Sequence, residues 1–175
     1  PLTMAFLTYA EDLEQQTDAA RAAGHELMVH FPMEPKDHHF DTGPNALTND
    51  LDDDEIRRRL RWGLERFEGY VGFNNHMGSA FTSNERGMAI VMEEVRRRGL
   101  LYIDSLTTSR SMAAGLAAQN GVPFAARDIF IDNHIAPEEI AKQLAKVETV
   151  ARRKGYAIAI GHPHTNTIKA VEAWL

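Results

Sequence analysis

Cysteine is missing from all 175 residues, so the chain can close no disulfide and present no thiolate to a metal. Any metal it binds must be held by His, Asp and Glu. The same absence suits cytoplasm and periplasm equally. Long apolar runs are missing as well: nothing approaches the roughly 18–20 consecutive residues that a membrane-spanning helix requires, and no signal peptide is visible. The chain opens on Pro1-Leu2-Thr3-Met4-Ala5-Phe6, which already reads as a strand, so the natural protein is expected to begin upstream of Pro1. A cationic excess is lacking too. The net charge of −6 argues against a nucleic-acid partner. The basic triplets Arg57-Arg58-Arg59, Arg96-Arg97-Arg98 and Arg152-Arg153-Lys154 read as helix-end charges rather than a phosphate or membrane patch. No Gly-rich phosphate loop, G-x-S-x-G elbow or H-E-x-x-H helix occurs, which argues against those three enzyme classes.

What is present is the balance of a globular protein, 43% hydrophobic and 25% charged, at a length that suits one domain over residues 1–175. Five glycines set a beat. Gly24, Gly69, Gly99, Gly121 and Gly155 each follow a helical pattern and precede about five mostly apolar residues, after which a polar cluster appears. Continuous apolar character points to strands covered on both faces, as in parallel sheets. With Leu2 to Thr8 in front, six strands are expected in this chain.

Helices are expected over Glu11–Ala23, Asp52–Phe67, from the capping box Thr82-Ser83-Asn84-Glu85 to Arg98, from Thr108 or Ser109 to Gln119, over Glu138–Lys154 behind Pro137, and from Thr165 or Asn166 toward Leu175. Residues 32–51, with three prolines and a glycine, read as a long irregular loop. Parallel strands alternating with helices make either a doubly wound sheet or a barrel, and both carry their sites at the C-terminal strand ends. The polar clusters fall at that end each time.

These clusters are His30 with Glu34, Asn74-Asn75-His76 with Ser79, Asp104-Ser105, Arg127-Asp128 with Asp132, and His162 with His164. Two imidazoles and a carboxylate converging from different strands suit a divalent metal such as zinc. The remaining imidazole and carboxylates suit general acid and base work, and Asn75 with the N–H groups around Gly78 could steady an oxyanion. Plainer readings stand beside these. His30 alone would pass for a hydrogen-bonded structural residue, Asp104-Ser105 for loop capping, Asp132-Asn133 for the start of a turn, and His164 for a helix cap or rim residue. His25, His38, His39 and His134 read as surface or loop histidines.

Taken in order, His30-Phe31-Pro32-Met33-Glu34-Pro35, Asn74-Asn75-His76-Met77-Gly78-Ser79, Asp104-Ser105, Arg127-Asp128 with Asp132-Asn133, and Gly161-His162-Pro163-His164 resemble the divergent polysaccharide deacetylase family. That family is a bacterial branch of the NodB-type carbohydrate esterases, and the resemblance covers nearly the whole chain. It implies an α/β fold, an irregular seven-stranded (β/α) barrel, with a metal-dependent deacetylase site. It also implies a divalent metal, zinc foremost, a carbohydrate or cell-wall glycan as substrate, and the bacterial periplasm or cell envelope as its place of action. By the same resemblance His30 and Glu34 are metal ligands and His162 is the general acid, while His76, which has no simple equivalent in the relatives, is expected as a third ligand or a substrate contact. Asp104 or Asp128 orients His162 or holds substrate, and Asn74, Asn75, Ser79, Arg127 and His164 contact substrate. Leu2 to Thr8 matches the family's second strand. The first, which ends in a paired Asp-Asp carrying the base and a further ligand, is expected to lie outside this chain. The rival expectation is a non-catalytic glycan-binding or envelope scaffold with a degenerate pocket. A metal-dependent phosphoesterase fits less well, given the negative charge and the few strand-end Arg and Lys.

Overall fold

The computed structural model describes residues 1–175 as two compact units, Pro1–Ala125 and Ala126–Leu175. In the first unit five strands lie side by side in chain order: β1 Thr3–Leu7, β2 Glu26–Met33, β3 Tyr70–Met77, β4 Leu101–Asp104 and β5 Phe124–Ala126. The β1–β2, β2–β3 and β3–β4 pairings are parallel, as the continuous apolar runs predict. Four helices connect the strands: α1 Leu13–Ala22, α2 Asp53–Leu64, α3 Glu85–Arg97 and α4 Ala113–Asn120. The glycine beat is real. All five glycines sit at left-handed φ, from 66° at Gly121 to 87° at Gly155, where a side chain would be strained.

Alternation along the strands separates two faces. On one, Leu27, Val29, Phe31, Met33, Phe73 and Tyr102 are wholly buried, in one core with Ile56 and Leu60 of α2 and Met88 and Val91 of α3. Phe31, Phe73, Tyr102 and Phe124 stack in sequence across four neighbouring strands, their ring centroids 5.4, 5.6 and 6.2 Å apart. The other face carries His30, Asn74 and His76. Val71 belongs to neither pattern: the β2–β3 register slips between Leu27 and Met28, and Val71 is the extra, exposed residue of a bulge. Gly72 beside it has no room for a side chain, since a Cβ would lie 2.8 Å from both Leu101 and Met28.

Local chemistry moves several expected boundaries. Asp52 caps α2, accepting the Glu55 N–H at 2.8 Å. Asn84, not Thr82, caps α3, accepting from Gly87 N–H, while Thr82 lies in a 3₁₀ turn over Phe81–Ser83. α4 starts at Ala113 rather than Thr108 or Ser109, because Ser111 donates to Asp104 Oδ2 at 2.7 Å and ties residues 105–112 to the end of β4. The loop expected over 32–51 is shorter at its start. β2 runs through to Met33, and Leu47 returns beside it, with Glu34 N–H donating to Leu47 O and Leu47 N–H to Pro32 O.

The second unit contains β6 Ile129–Phe130 and β7 Ala159–Ile160, paired in parallel, with helices α5 Pro137–Lys154 and α6 Thr165–Trp174. Ile131, Ile140 and Leu144 form its core. Pro137 starts α5 as expected, but His164 is the N-cap residue of α6 rather than Thr165 or Asn166. Seven strands are therefore present, not six, in two sheets. The fifth strand ends before Arg127-Asp128 as expected, and the unexpected β6 follows because Asp128 N–H and Ile129 N–H both turn to Ile158 O, at 2.8 and 3.1 Å. No helix is long and apolar enough to cross a membrane.

Candidate functional site

In the first unit His30, which lies inside β2 rather than at its end, and His76, one residue before the end of β3, are brought together. Register places His30 opposite Asn74 and Pro32 opposite His76, so the imidazoles are diagonal neighbours on one face. His30 Nε2 lies 3.1 Å from His76 Nδ1, and His30 Nδ1 lies 2.6 Å from Asn74 Oδ1. The Asn74 amide nitrogen donates to Ile103 O at 2.7 Å and Ser105 Oγ at 2.9 Å, so its oxygen is the atom facing His30. That oxygen can only accept, which places the His30 proton on Nδ1 and a lone pair on Nε2. Two imidazole nitrogens bound to one zinc at about 2.0–2.1 Å lie roughly 3.3 Å apart in a tetrahedral site. The observed pair fits that requirement, and Asn74 supplies the hydrogen bond on the far ring nitrogen that metal-binding histidines usually have.

β3 ends at Met77, the residue after His76, and the chain turns there through two left-handed residues, Met77 at φ 55° and Gly78 at φ 87°. For Met77 this conformation is strained, and Met77 O is held in place by Asn75 Nδ2 at 2.8 Å and Thr107 Oγ1 at 3.0 Å. Asn75 Oδ1 in turn accepts from Ser105 N–H at 3.0 Å. Asn74 and Asn75 are both buried, with their amides engaged inside the protein. The expected substrate contact thus becomes an internal, positioning role for both, because strand alternation sends one amide to each face of the sheet.

Glu34 does not join the pair. Its Oε2 accepts the Asn49 N–H at 2.8 Å, and its Oε1 lies 3.8 Å from His38 Nδ1. Ser79 Oγ accepts the Lys36 N–H at 2.9 Å and so fastens the same loop. Asp104 is buried and accepts from Leu106 N–H and Ser111 Oγ, both within its own strand-end turn. Its charge, after burial itself, helps to push the enclosed Tyr102 hydroxyl well above the usual tyrosine range.

The second unit carries its own cluster. Asp132, which follows β6, has a fully buried side chain. Its Oδ2 accepts from His162 N–H at 2.6 Å and Thr167 Oγ1 at 3.0 Å, and its Oδ1 meets His162 Nδ1 at 3.2 Å. The carboxylate that orients His162 is therefore Asp132, not Asp104 or Asp128. Asp128 instead binds Lys154 and the Ile158 N–H, and these two contacts hold its carboxyl below the usual range. The His162 ring lies against Phe130 at 5.3 Å and His164 at 5.9 Å, and the Arg127 guanidinium covers Phe130 at 5.2 Å.

Asp132, His162 and His164 offer ligand atoms within 4.8 Å of one another, which makes them a possible metal-binding triad. Three hydrogen bonds already fall on the Asp132 oxygens, however, so the carboxylate suits the orientation of His162 better than direct ligation. The sequence expectation reads Asp132-Asn133 as a turn. The trace of its role is Gly161, where a Cβ would stand 3.4 Å from Asp132 Oδ2.

A family model described as divergent polysaccharide deacetylase matches residues 1–175. The chain is 34% identical over 171 residues to the uncharacterized protein YibQ of Escherichia coli (strain K12), a match that covers 98% of this chain and 53% of that protein. It is 29% identical over 180 residues to an uncharacterized protein of Haemophilus influenzae (strain ATCC 51907 / DSM 11121 / KW20 / Rd), covering 99% of this chain and 62% of that one. The chain thus spans between half and two thirds of the length of these relatives. The crystal structure of the uncharacterized protein ATU2773 from Agrobacterium tumefaciens C58 superimposes with a TM-score of 0.96 at 26% identity, over 98% of this chain and 70% of that chain.

Proposed function

Since the chain belongs to the divergent polysaccharide deacetylase family, we propose that it serves a metal-dependent hydrolase that removes acetyl groups from a polysaccharide or amino-sugar glycan. The observation that carries this reading is the 3.1 Å approach of His30 Nε2 to His76 Nδ1, with Asn74 fixing the far side of His30. His30 and His76 would hold a divalent metal, zinc by the preference of imidazole donors, which would supply a Lewis acid for the acetyl carbonyl and for a water molecule. His162 is the proton donor to the leaving amine or alkoxide. Asp132 occupies its Nδ1 and leaves Nε2 to exchange the proton. Arg127, His164 and Ser79 are assigned to substrate, and the bacterial periplasm or envelope is the proposed place of action.

Acetate release from acetylated oligosaccharides by the zinc-loaded full-length protein tests the reading. His30→Ala and His162→Ala are each expected to lower the rate by about 10²-fold or more. Undiminished turnover in either variant ends the assignment of that residue. Glycan affinity without turnover, unchanged by chelation, would instead identify a non-catalytic scaffold.

A further inference from the structure

We propose that Ser105 is a positioning residue that acts with the Ile103 carbonyl to hold His30 in the tautomer able to bind metal. An asparagine amide can sit either way round, with nearly the same shape. With Oδ1 toward His30, the ring carries its proton on Nδ1 and keeps a lone pair on Nε2. With Nδ2 toward His30, Nδ1 must accept, the proton moves to Nε2, and the ring can no longer ligate through that atom. The choice is made at the other end of the amide, where Asn74 meets Ile103 O at 2.7 Å and Ser105 Oγ at 2.9 Å. A carbonyl only accepts. A hydroxyl can do either, but the Ser105 proton goes to Asn75 O at 2.7 Å, so toward Asn74 it offers a lone pair. Two acceptors therefore face Asn74, and only the NH₂ end satisfies both.

The same residue reaches the His76 side by a separate arm. Its backbone N–H donates to Asn75 Oδ1, which turns Asn75 Nδ2 toward Met77 O in the strained turn behind His76. Ser105→Ala removes the hydroxyl contacts to Asn74 and to Asn75 O and leaves the backbone arm to Asn75 Oδ1 in place, so the His30 tautomer itself is the readout. The importance of the tautomer for ligation rests on the metal assignment made above, but the tautomer itself can be read in metal-free protein.

The test uses ¹⁵N-histidine-labelled full-length protein without metal, at about pH 8, where imidazoles are neutral. His30 is assigned by its loss in His30→Gln. Wild type is expected to show a protonated Nδ1 and a lone-pair Nε2 at His30. Ser105→Ala leaves Ile103 O as the single acceptor for Asn74, and should raise the Nε2–H share of the ring and weaken zinc binding about 10-fold in competition with a chromophoric chelator, the scale usual for groups that orient a metal's ligands. Ser105→Thr, which keeps the hydroxyl, should match wild type in both. Should Ser105→Ala fail to melt cooperatively, Ser105→Cys provides the same readout, since a thiol fills the space but accepts weakly. An unchanged His30 tautomer in the folded hydroxyl-free variant overturns the proposal. Absence of zinc binding in wild type defeats the metal assignment, while the tautomer measurement still decides the role of Ser105.

Discussion

His30 and His162 are both anchored through Nδ1, the first by an amide oxygen at 2.6 Å and the second by a carboxylate at 3.2 Å. Either acceptor fixes the ring's tautomer: at His30 it leaves Nε2 toward His76, and at His162 it leaves Nε2 for proton exchange. Asp132 also accepts from two further donors, His162 N–H and Thr167 Oγ1. An asparagine there must turn its NH₂ toward one of those groups of donors. Asp132→Asn is therefore expected to cost about 1–3 kcal/mol of stability, the price of an unsatisfied buried polar group, and to slow acetate release as well; a urea midpoint equal to wild type would contradict this. Histidines were easy to pick out of the sequence, because few residue types can ligate or shuttle protons. Their partners were not. Asp132 sits thirty positions before His162, and only folding shows that the pair Asp132-Asn133 is more than a turn. Asn74 and Asn75 likewise read as substrate contacts until their burial is known.

At the scale of elements, helix stops were legible because a left-handed glycine has a strong local cause, and the five strands after Gly24, Gly69, Gly99, Gly121 and Gly155 begin close to where that cue puts them. Helix starts were harder to read. Several side chains compete to cap, and the outcome depends on contacts outside the helix, from Asn84 to Asn49 and from Ser111 to the end of β4 at Asp104. Within α2 the charge pattern has a measurable consequence. Glu55 bonds Arg58 through both oxygens and Arg59 through one, and these contacts, Arg58 first, hold its carboxyl down from 4.5 to about 2. A carboxyl lowered on folding stabilises the native state fully above its unfolded value and loses that contribution as pH falls through the folded value. In this helix the window runs from about pH 4.5 down to about 2. Glu55→Gln should accordingly have a lower urea midpoint than wild type at pH 6, with the gap closing as pH approaches 2. A gap that stays constant over that range would show that these ion pairs do not generate it.

Over the whole chain, the alternation of strand and helix was open to sequence reasoning, but the division into a five-stranded and a two-stranded sheet was not. β6 and β7 have two residues each, too few to produce a period, and the short apolar run Ile129-Phe130-Ile131 behind Arg127-Asp128 gives no sign that it pairs with a different strand. The two units also differ in how much apolar material they bury. The first has an extensive aromatic and aliphatic core, while the second relies chiefly on Ile131, Ile140 and Leu144. A unit of roughly fifty residues hides too small a share of its surface to be stable on so little core, without disulfide or metal. Residues 126–175 made as a separate polypeptide are therefore expected to lack a cooperative thermal transition and to show collapsed amide dispersion in NMR. Residual helicity should be confined to α5, whose eighteen residues carry a proline at the first turn, Glu138 and Glu139 near the N-terminus and Arg152, Arg153 and Lys154 in the last turn. Zinc titration of that polypeptide adds a second readout, because an imidazole–carboxylate triad stable enough to bind metal alone would order it. A sharp melt or dispersed spectrum in the absence of metal would show that the small core suffices. Ordering only on addition of zinc would instead make Asp132, His162 and His164 a ligand set in their own right and remove Asp132 from its orienting role.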